Sequence, residues 1–586
     1  MLFSMFVGVA VAAPASTPAI RYPDPTAVAA PPAGPGQPAA TAIDTALSTE
    51  LTRAMASLRL PDAAPPYYIT YDVLDGTVAT AFGEFGALVQ DEATPYRTLR
   101  TEVRVGDYNT DSSNFSSFGD PDGVVSRGLP PEDDITALRR EIWLSTDDAY
   151  KQAIEQYSRK QAARKGKAPA LAPDFTKTMP VTTTWDGKLP PQADAATVRS
   201  LASTLSAALD RWPQIEVGQC VARDWQGLRF TLSSEGARLW RPSGYAVVRV
   251  EGTIRTSDGA EVKDARWWVG RDLAHLPTAK EMLADVGEMA DWLSGLAKAP
   301  KEDDYLGPVI FEGSAATELF SQLLAAELVG TPAAEEDDSG ISFGRAPTAR
   351  LGRRLLPAGW SVTDDPTANP NAAGAYAQDH EGVAPRKVDL VVDGVLRDVL
   401  MSRVPSKDRA GSNGHGRSLG NDRRAAMPAV VTVKAKRLDA RAKLDKTALR
   451  LAAQTGHDYV LVIARIEPPA MTEDFSVTFT GEGPPPGLTP PYEAYRLYAD
   501  GRHEPVRSLT FNGVDRRVLR DIAMASVGAG PTDMLDGPPG PPRFQIGPTG
   551  GIPVTWDAPS VLITEMELTS KGGGEPRALV LPKRTE

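Results

Sequence analysis

Gly307-Pro-Val-Ile-Phe-Glu-Gly-Ser-Ala-Ala-Thr-Glu-Leu-Phe320 is where this chain changes character. Val309-Ile-Phe311 is a short apolar run, and Leu319, Leu323 and Leu324 then recur at helical spacing. The stretch therefore predicts a buried strand that feeds directly into a helix. Before it, helices and strands alternate. Beyond it, the chain reads as strands separated by Gly- and Pro-rich loops, with few helices.

Upstream, Ile43, Leu47, Leu51, Met55 and Leu58 predict a helix that Pro61 stops. Tyr67, Ile69, Tyr71 and Val73 alternate as in a half-buried strand, and Leu99, Val103 and Val105 continue a strand pattern. Residues 137–165 read as a long charged helix, and Val198, Leu201, Leu205 and Leu209 mark another that ends by Pro213. Residues 215–269 are mostly strand, with Leu228, Phe230 and Leu232 on one face. Thr278-Ala-Lys-Glu281 is a capping box opening a helix with Met282, Val286, Met289, Leu293 and Leu296 on one side.

Downstream, residues 387–401 predict a hairpin with Asp393-Gly394 at its turn. Residues 444–453 predict a helix, 459–466 a buried strand and 560–568 a last strand, while 481–491 and 528–553 read as Pro/Gly-rich loops. The fold class is α+β in two lobes: an N-terminal mixed α/β domain over 41–300 and a mainly β C-terminal domain with a few helices over 301–586.

Lysine and arginine number 63 against 75 acidic residues, a net charge of −12 that argues against a general nucleic-acid binder. Cys220 is the single cysteine, so no intrachain disulfide and no Cys-x-x-Cys motif exists. Its strand-like setting predicts a buried, inert thiol. There is no phosphate-binding loop and no nucleophile elbow. His380-Glu381 and His503-Glu504 lack a second histidine one turn later, where Ala384 and Arg507 stand. Residues 1–15 are apolar and end in small residues, which predicts a signal peptide followed by a Pro/Ala-rich linker over 16–40. An exported location, periplasmic or extracellular, is expected, with a cytoplasmic one as the alternative. No stable membrane span is expected.

The opening stretch resembles the motif segment of the TldD/PmbA family of zinc-metalloprotease-like proteins, the "modulator of DNA gyrase" family. The resemblance continues in order through Asp379-His-Glu-Gly-Val383, Leu390-Val-Val-Asp-Gly-Val-Leu396, Ser412-Asn-Gly-His-Gly-Arg417, Gly551-Ile-Pro-Val554 and Ala558-Pro-Ser-Val-Leu562. It implies the two-lobed family fold. It also implies a zinc site in active members, made by His-Glu-x-x-x-His on the motif helix and a later cysteine. Here those positions read Phe311, Glu312, Ala316 and Gln545, so no metal ligand and no catalytic residue is expected, and no cofactor. This pattern resembles the zinc-less PmbA-type partner.

The resemblance implies a non-catalytic protein that holds a peptide or unfolded protein, by strand addition in a cleft. It also implies a homodimer or a heterodimer with a zinc-bearing TldD-like relative. Asn413, Gly414, His415 and Arg417 form a candidate substrate-binding loop. Two alternatives stand beside this reading. One is an active metallopeptidase with a displaced site, for which His380 and His415 with Asp379 and Glu381 are the local cluster worth naming. The other is a stand-alone extracytoplasmic binding protein.

Overall fold

Two 19-residue strands, Pro66–Glu84 and Ala87–Val105, form a hairpin that frames the first lobe. The two-residue turn between them holds Phe85 at φ 45° and Gly86 at φ 89°, the paired left-handed geometry that fits the twist of the strands. In this computed structural model residues 41–116, 123–167, 172–183, 192–332, 334–336, 349–418, 424–469, 487–536 and 551–570 are described. The expected signal peptide, the linker and Gln545 lie outside them.

The hairpin sits inside a six-stranded antiparallel sheet ordered Val124–Gly128, Ala87–Val105, Pro66–Glu84, Ile215–Ser233, Arg238–Arg255 and Glu261–Gly270. Four helices, α1 (Ala42–Ser57), α2 (Ile135–Arg164), α3 (Ala195–Ala208) and α4 (Ala279–Leu296), pack on its outer face. Thr278 and Glu281 make the predicted capping box at the start of α4. The long strands carry two separate cores. Tyr71, Val73, Leu99, Val103, Phe230 and Leu232 pack under α1 and α2, and Ala79, Ala81, Cys220, Ala222, Val248 and Val250 pack under α3 and α4. Cys220 is fully buried and burial pushes its thiol up, which makes it inert.

The second lobe is built around α5 (Gly313–Leu328), which follows the strand Tyr305–Phe311 directly. Nearly every residue of α5 is buried, because the helix lies between two sheets. One sheet runs Val395–Leu396, Val388–Val392, Trp360–Asp364, Val430–Ala435, Ile552–Asp557, Thr532–Asp536. The other runs His503–Val506, Pro491–Tyr498, Tyr459–Ile466, Tyr305–Phe311, Ser560–Ser570, Leu509–Phe511, with Ile522–Ser526 also paired to Ser560–Ser570. The last helix, α6 (Arg441–Gln454), covers the far face of this second sheet through Leu444, Ala448 and Ala452. The architecture is α+β, mostly strand, in two lobes.

Two local expectations need correction. The hairpin at Asp393-Gly394 has the expected turn, with both residues at positive φ, but its second strand ends at Leu396 because residues 397–401 turn away to pass beneath α5. Residues 528–553 are not loop throughout: Thr532–Asp536 is an edge strand and Ile552 begins another. Glu312 stands at the N-cap of α5 yet makes no side-chain cap bond. Its carboxylate instead accepts from Tyr495 Oη (2.6 Å) and pairs with Arg441.

Candidate functional site

The inner face of the N-lobe sheet, opposite the helices, is turned toward the second lobe. Alternation along the strands puts Asp72, Arg100, Glu102, Arg104, Arg229, Thr231 and Arg241 there, because their neighbours Tyr71, Val73, Leu99, Val103, Phe230 and Leu232 fill the helix-side core. All are buried. Segments 376–384, 401–418 and 424–427 of the second lobe close over this face, so the charges meet across the seam.

Arg403 is the main cross-lobe pin. Its Nε and Nη2 donate to the Thr176 carbonyl (2.9 and 2.7 Å), and Nη2 also donates to Glu235 Oε1 (2.8 Å). The guanidinium lies 3.9 Å from the Phe175 ring centroid, while Arg104 approaches the same ring at 3.7 Å. Arg104 in turn holds Glu102 (2.7 Å) and Asp111 (3.0 Å). Behind it Lys160 pairs with Asp174 at 2.6 Å.

The Asp-His-Glu-Gly loop lies against this network. Asp379 Oδ1 accepts from the backbone N–H of Glu381 (2.9 Å) and Val383 (2.8 Å), and Oδ2 from Gly416 (2.8 Å). Glu381 Oε2 accepts from the Arg403 N–H at 2.6 Å. Gly416 packs so tightly on this carboxyl that any Cβ there would collide with it. Burial pushes both carboxyls up, Asp379 to about 6 and Glu381 to about 8, and the nearby Asp379 charge adds to the rise of Glu381.

The structure brings His380 and His415 into one neighbourhood: the His380 N–H donates to the Gly416 carbonyl at 2.8 Å. Their rings do different work. His380 Nδ1 accepts from the Ser418 N–H (3.0 Å), and burial, then Arg229 and Arg241, hold the imidazole well below its usual range, so it is neutral. His415 is fully buried, with Nδ1 near the Asn413 carbonyl (3.1 Å) and Nε2 3.5 Å from Asp364. Asn413 ties the loop to Val399 and Met401. Arg417 donates to the Pro428 and Pro553 carbonyls, and Gly414, at φ 80°, packs on Pro385. The candidate loop residues are thus bonded internally. Their neighbours Gly411 and Ser412 line an open cavity of about 650 Å³ at the seam, with Tyr108, Phe175, Met179 and Val383.

A family model, the PmbA/TldA metallopeptidase C-terminal domain, matches residues 304–482. Over residues 304–482 the chain is similar to the TldD/PmbA family. Three solved structures share the fold across both lobes. TldE from Thermococcus kodakarensis superposes with a TM-score of 0.55 at 14% identity, over 86% of this chain and 97% of its own. A candidate modulator of a DNA gyrase from Thermotoga maritima gives 0.53 at 13%, over 86% and 96%. A similar protein from Bacteroides thetaiotaomicron gives 0.53 at 13%, over 89% and 98%. No curated protein matches the chain.

The match to this metallopeptidase family raises the question of zinc, and the side chains at the expected ligand positions do not fit it. Phe311 ends its strand fully buried, 6.0 Å from the Phe511 ring, and carries no donor atom. Ala316 is fully buried in the first turns of α5. Glu312 is engaged by Arg441 and Tyr495. Among the described residues no three His, Cys, Asp or Glu side chains converge as a metal site would require, and this includes the His380 and His415 cluster.

The carboxyl pair sets a pH dependence. The folded chain holds protons on Asp379 and Glu381 that the unfolded chain releases in the ordinary carboxylate range. Stability therefore falls as pH rises from that range to about 8, where Glu381 has ionised. Glu381→Gln keeps an acceptor for the Arg403 N–H and removes the titration. Melting curves across this window should decline less for the variant than for the wild type, and parallel curves would count against the raised carboxyl.

Proposed function

We propose that this chain is a TldD/PmbA-family protein without peptidase activity of its own, which holds an extended peptide in the seam between its lobes as partner of a zinc-bearing relative. The observation that carries the reading is the packed apolar state of the aligned ligand positions, with Phe311 and Ala316 both fully buried. Zinc hydrolysis needs three protein ligands and an open position to activate water. A fully covered phenyl ring and a methyl group supply neither. Support for peptide binding comes from the seam itself. The cavity of about 650 Å³ combines apolar side chains with backbone of the glycine-rich loop, and Met179 at its rim is 86% exposed. A second cavity of about 330 Å³ is also lined from both lobes, by Asn114 and Asp174 on one side and Val399 and Pro405 on the other.

Purification from the native host, with metal analysis, a peptidase assay and identification of bound chains, tests the reading. The expected result is well below one zinc per chain, no cleavage by the isolated protein, and a zinc-bearing family member that co-elutes. Near-stoichiometric zinc with chelator-sensitive cleavage would overturn it. A monomer with no relative bound would leave a stand-alone binding protein.

A further inference from the structure

Among the described residues, Arg229 on the inner sheet face is a cation that no carboxylate holds at hydrogen-bond distance. Arg229 is 7% exposed, and its Nε has no hydrogen-bond partner. Among the described residues its one ion pair is to Asp72 Oδ2 at 3.9 Å, beyond hydrogen-bond reach. Asp72 is already occupied: it pairs with Arg424, accepts the Thr231 hydroxyl, and has Arg241 at 4.0 Å. Three guanidinium groups therefore surround one carboxylate.

The register adds to the imbalance. Arg229 and Arg241 are direct cross-strand partners on the same face. Like charges directly opposite one another destabilise a sheet. Arg241 relieves its position by donating to the Gln378 and Asp379 carbonyls and to Thr231 Oγ1 (2.9 Å). Among the described residues Arg229 has no such outlet. Burial, and then Arg100, push Arg229 down to about 10. A buried guanidinium without an anion is costly, and its planar fork matches a carboxylate. Beside it, Tyr96 stacks on Trp225 with centroids 5.5 Å apart, an aromatic wall against which extended backbone can lie.

We propose that Arg229 anchors a subsite on the inner face of the N-lobe sheet that takes a carboxylate of the bound peptide, either an acidic side chain or the C-terminus. This rests on the reading of the seam as a peptide cleft. A cationic floor inside a chain of net charge −12 also concentrates the attraction for an acidic ligand at this one place.

The test uses the full chain and four probes: a labelled, N-acetylated pentaalanine amide, the same peptide with one Asp, the same peptide with a free C-terminus, and acetate. Binding is read by anisotropy for the peptides and by the rise in melting temperature for acetate. The expected result is that one or both carboxylate peptides bind about tenfold or more tighter than the neutral amide. Arg229→Met should abolish that preference, Arg229→Lys should retain part of it, and acetate should stabilise the wild type but not Arg229→Met. Arg229→Met itself should melt no lower than the wild type, because it removes a poorly paired buried charge.

Which carboxylate peptide gains affinity identifies the source of the group. Equal binding of all three peptides, unchanged by Arg229→Met, would overturn the subsite and leave the peptide cleft standing. Acetate stabilisation that depends on Arg229, with no peptide bound, would keep the carboxylate site and sink the peptide reading. No difference between wild type and Arg229→Met with any probe overturns the proposal.

Discussion

Arg403→Met should lower stability by about 3–5 kcal/mol, the cost of breaking a buried pair by removing one partner. Arg403 is 1% exposed and touches Thr176, Glu235 and the Phe175 ring at once. Among the described residues its loss leaves the Tyr108 hydroxyl, at 2.6 Å, as the donor to Glu235 Oε1, and strips the Thr176 carbonyl of two donors. Methionine fills volume but supplies no hydrogen bond. Arg403→Lys restores the charge without the flat fork or the stacking, so it should recover only part. Adding Glu235→Gln to Arg403→Met should also recover part, because the stranded charge is gone. Denaturant unfolding followed by tryptophan fluorescence measures all three, and a loss below about 1 kcal/mol for Arg403→Met would show that the lobes do not depend on this contact.

Phe311→His and Ala316→His should each destabilise the second lobe and together fail to create a zinc site. Phe311 lies in the strand between Ile463 and Val561, so its replacement loses buried apolar area and leaves ring nitrogens without partners. The cost is about 3–5 kcal/mol by analogy with large-to-small core changes and unpaired polar burial. Ala316 sits in the packed core between the sheets, where an imidazole overfills the space at about 1–3 kcal/mol or more. Metal that bound a preformed site would raise the unfolding midpoint. Midpoints measured with and without zinc should coincide for the double variant, and still coincide with Gln545→Cys added. A zinc-dependent rise would mean that the ligand geometry survives beneath the apolar side chains.

Local periodicity made much of this fold legible. Val198, Leu201 and Leu205 share one helix face, Thr278 and Glu281 form a real cap, and Asp393-Gly394 is the turn that its residues require. The half of the hairpin at Ala87–Pro95 escaped because it is exposed on both faces and therefore shows no apolar alternation. Thr532–Asp536 escaped because an edge strand among glycines and prolines looks like loop. The charged seam was invisible for a different reason. Leu228, Phe230 and Leu232 announced a core face, and nothing in the spacing showed what would cover the intervening Arg229 and Thr231. Only the second lobe, arriving some 150 residues later in the chain with segments such as 376–384 and Arg424, turns that face inward. His380 and His415 stood out as chemistry-bearing residues, yet sequence spacing could not reveal that backbone bonds would bring their loops together and engage Nδ1 of each ring.

The strand order of the two lobes also dictates an order of birth. All six strands of the N-lobe sheet lie between residues 66 and 270, so that sheet can close while the rest of the chain is still being made. The second lobe has no such freedom. Ile552–Asp557 separates Val430–Ala435 from Thr532–Asp536, and Ser560–Ser570 separates Tyr305–Phe311 from Leu509–Phe511. Each C-lobe sheet thus waits for an interior strand that leaves the ribosome last among those described. Until then α5, buried along nearly its whole circumference in the finished fold, has no second wall. A nascent chain in that state presents the ribosome-bound chaperones with a finished first lobe tethered to an unzipped one, and a stop codon a few dozen residues early would freeze it there.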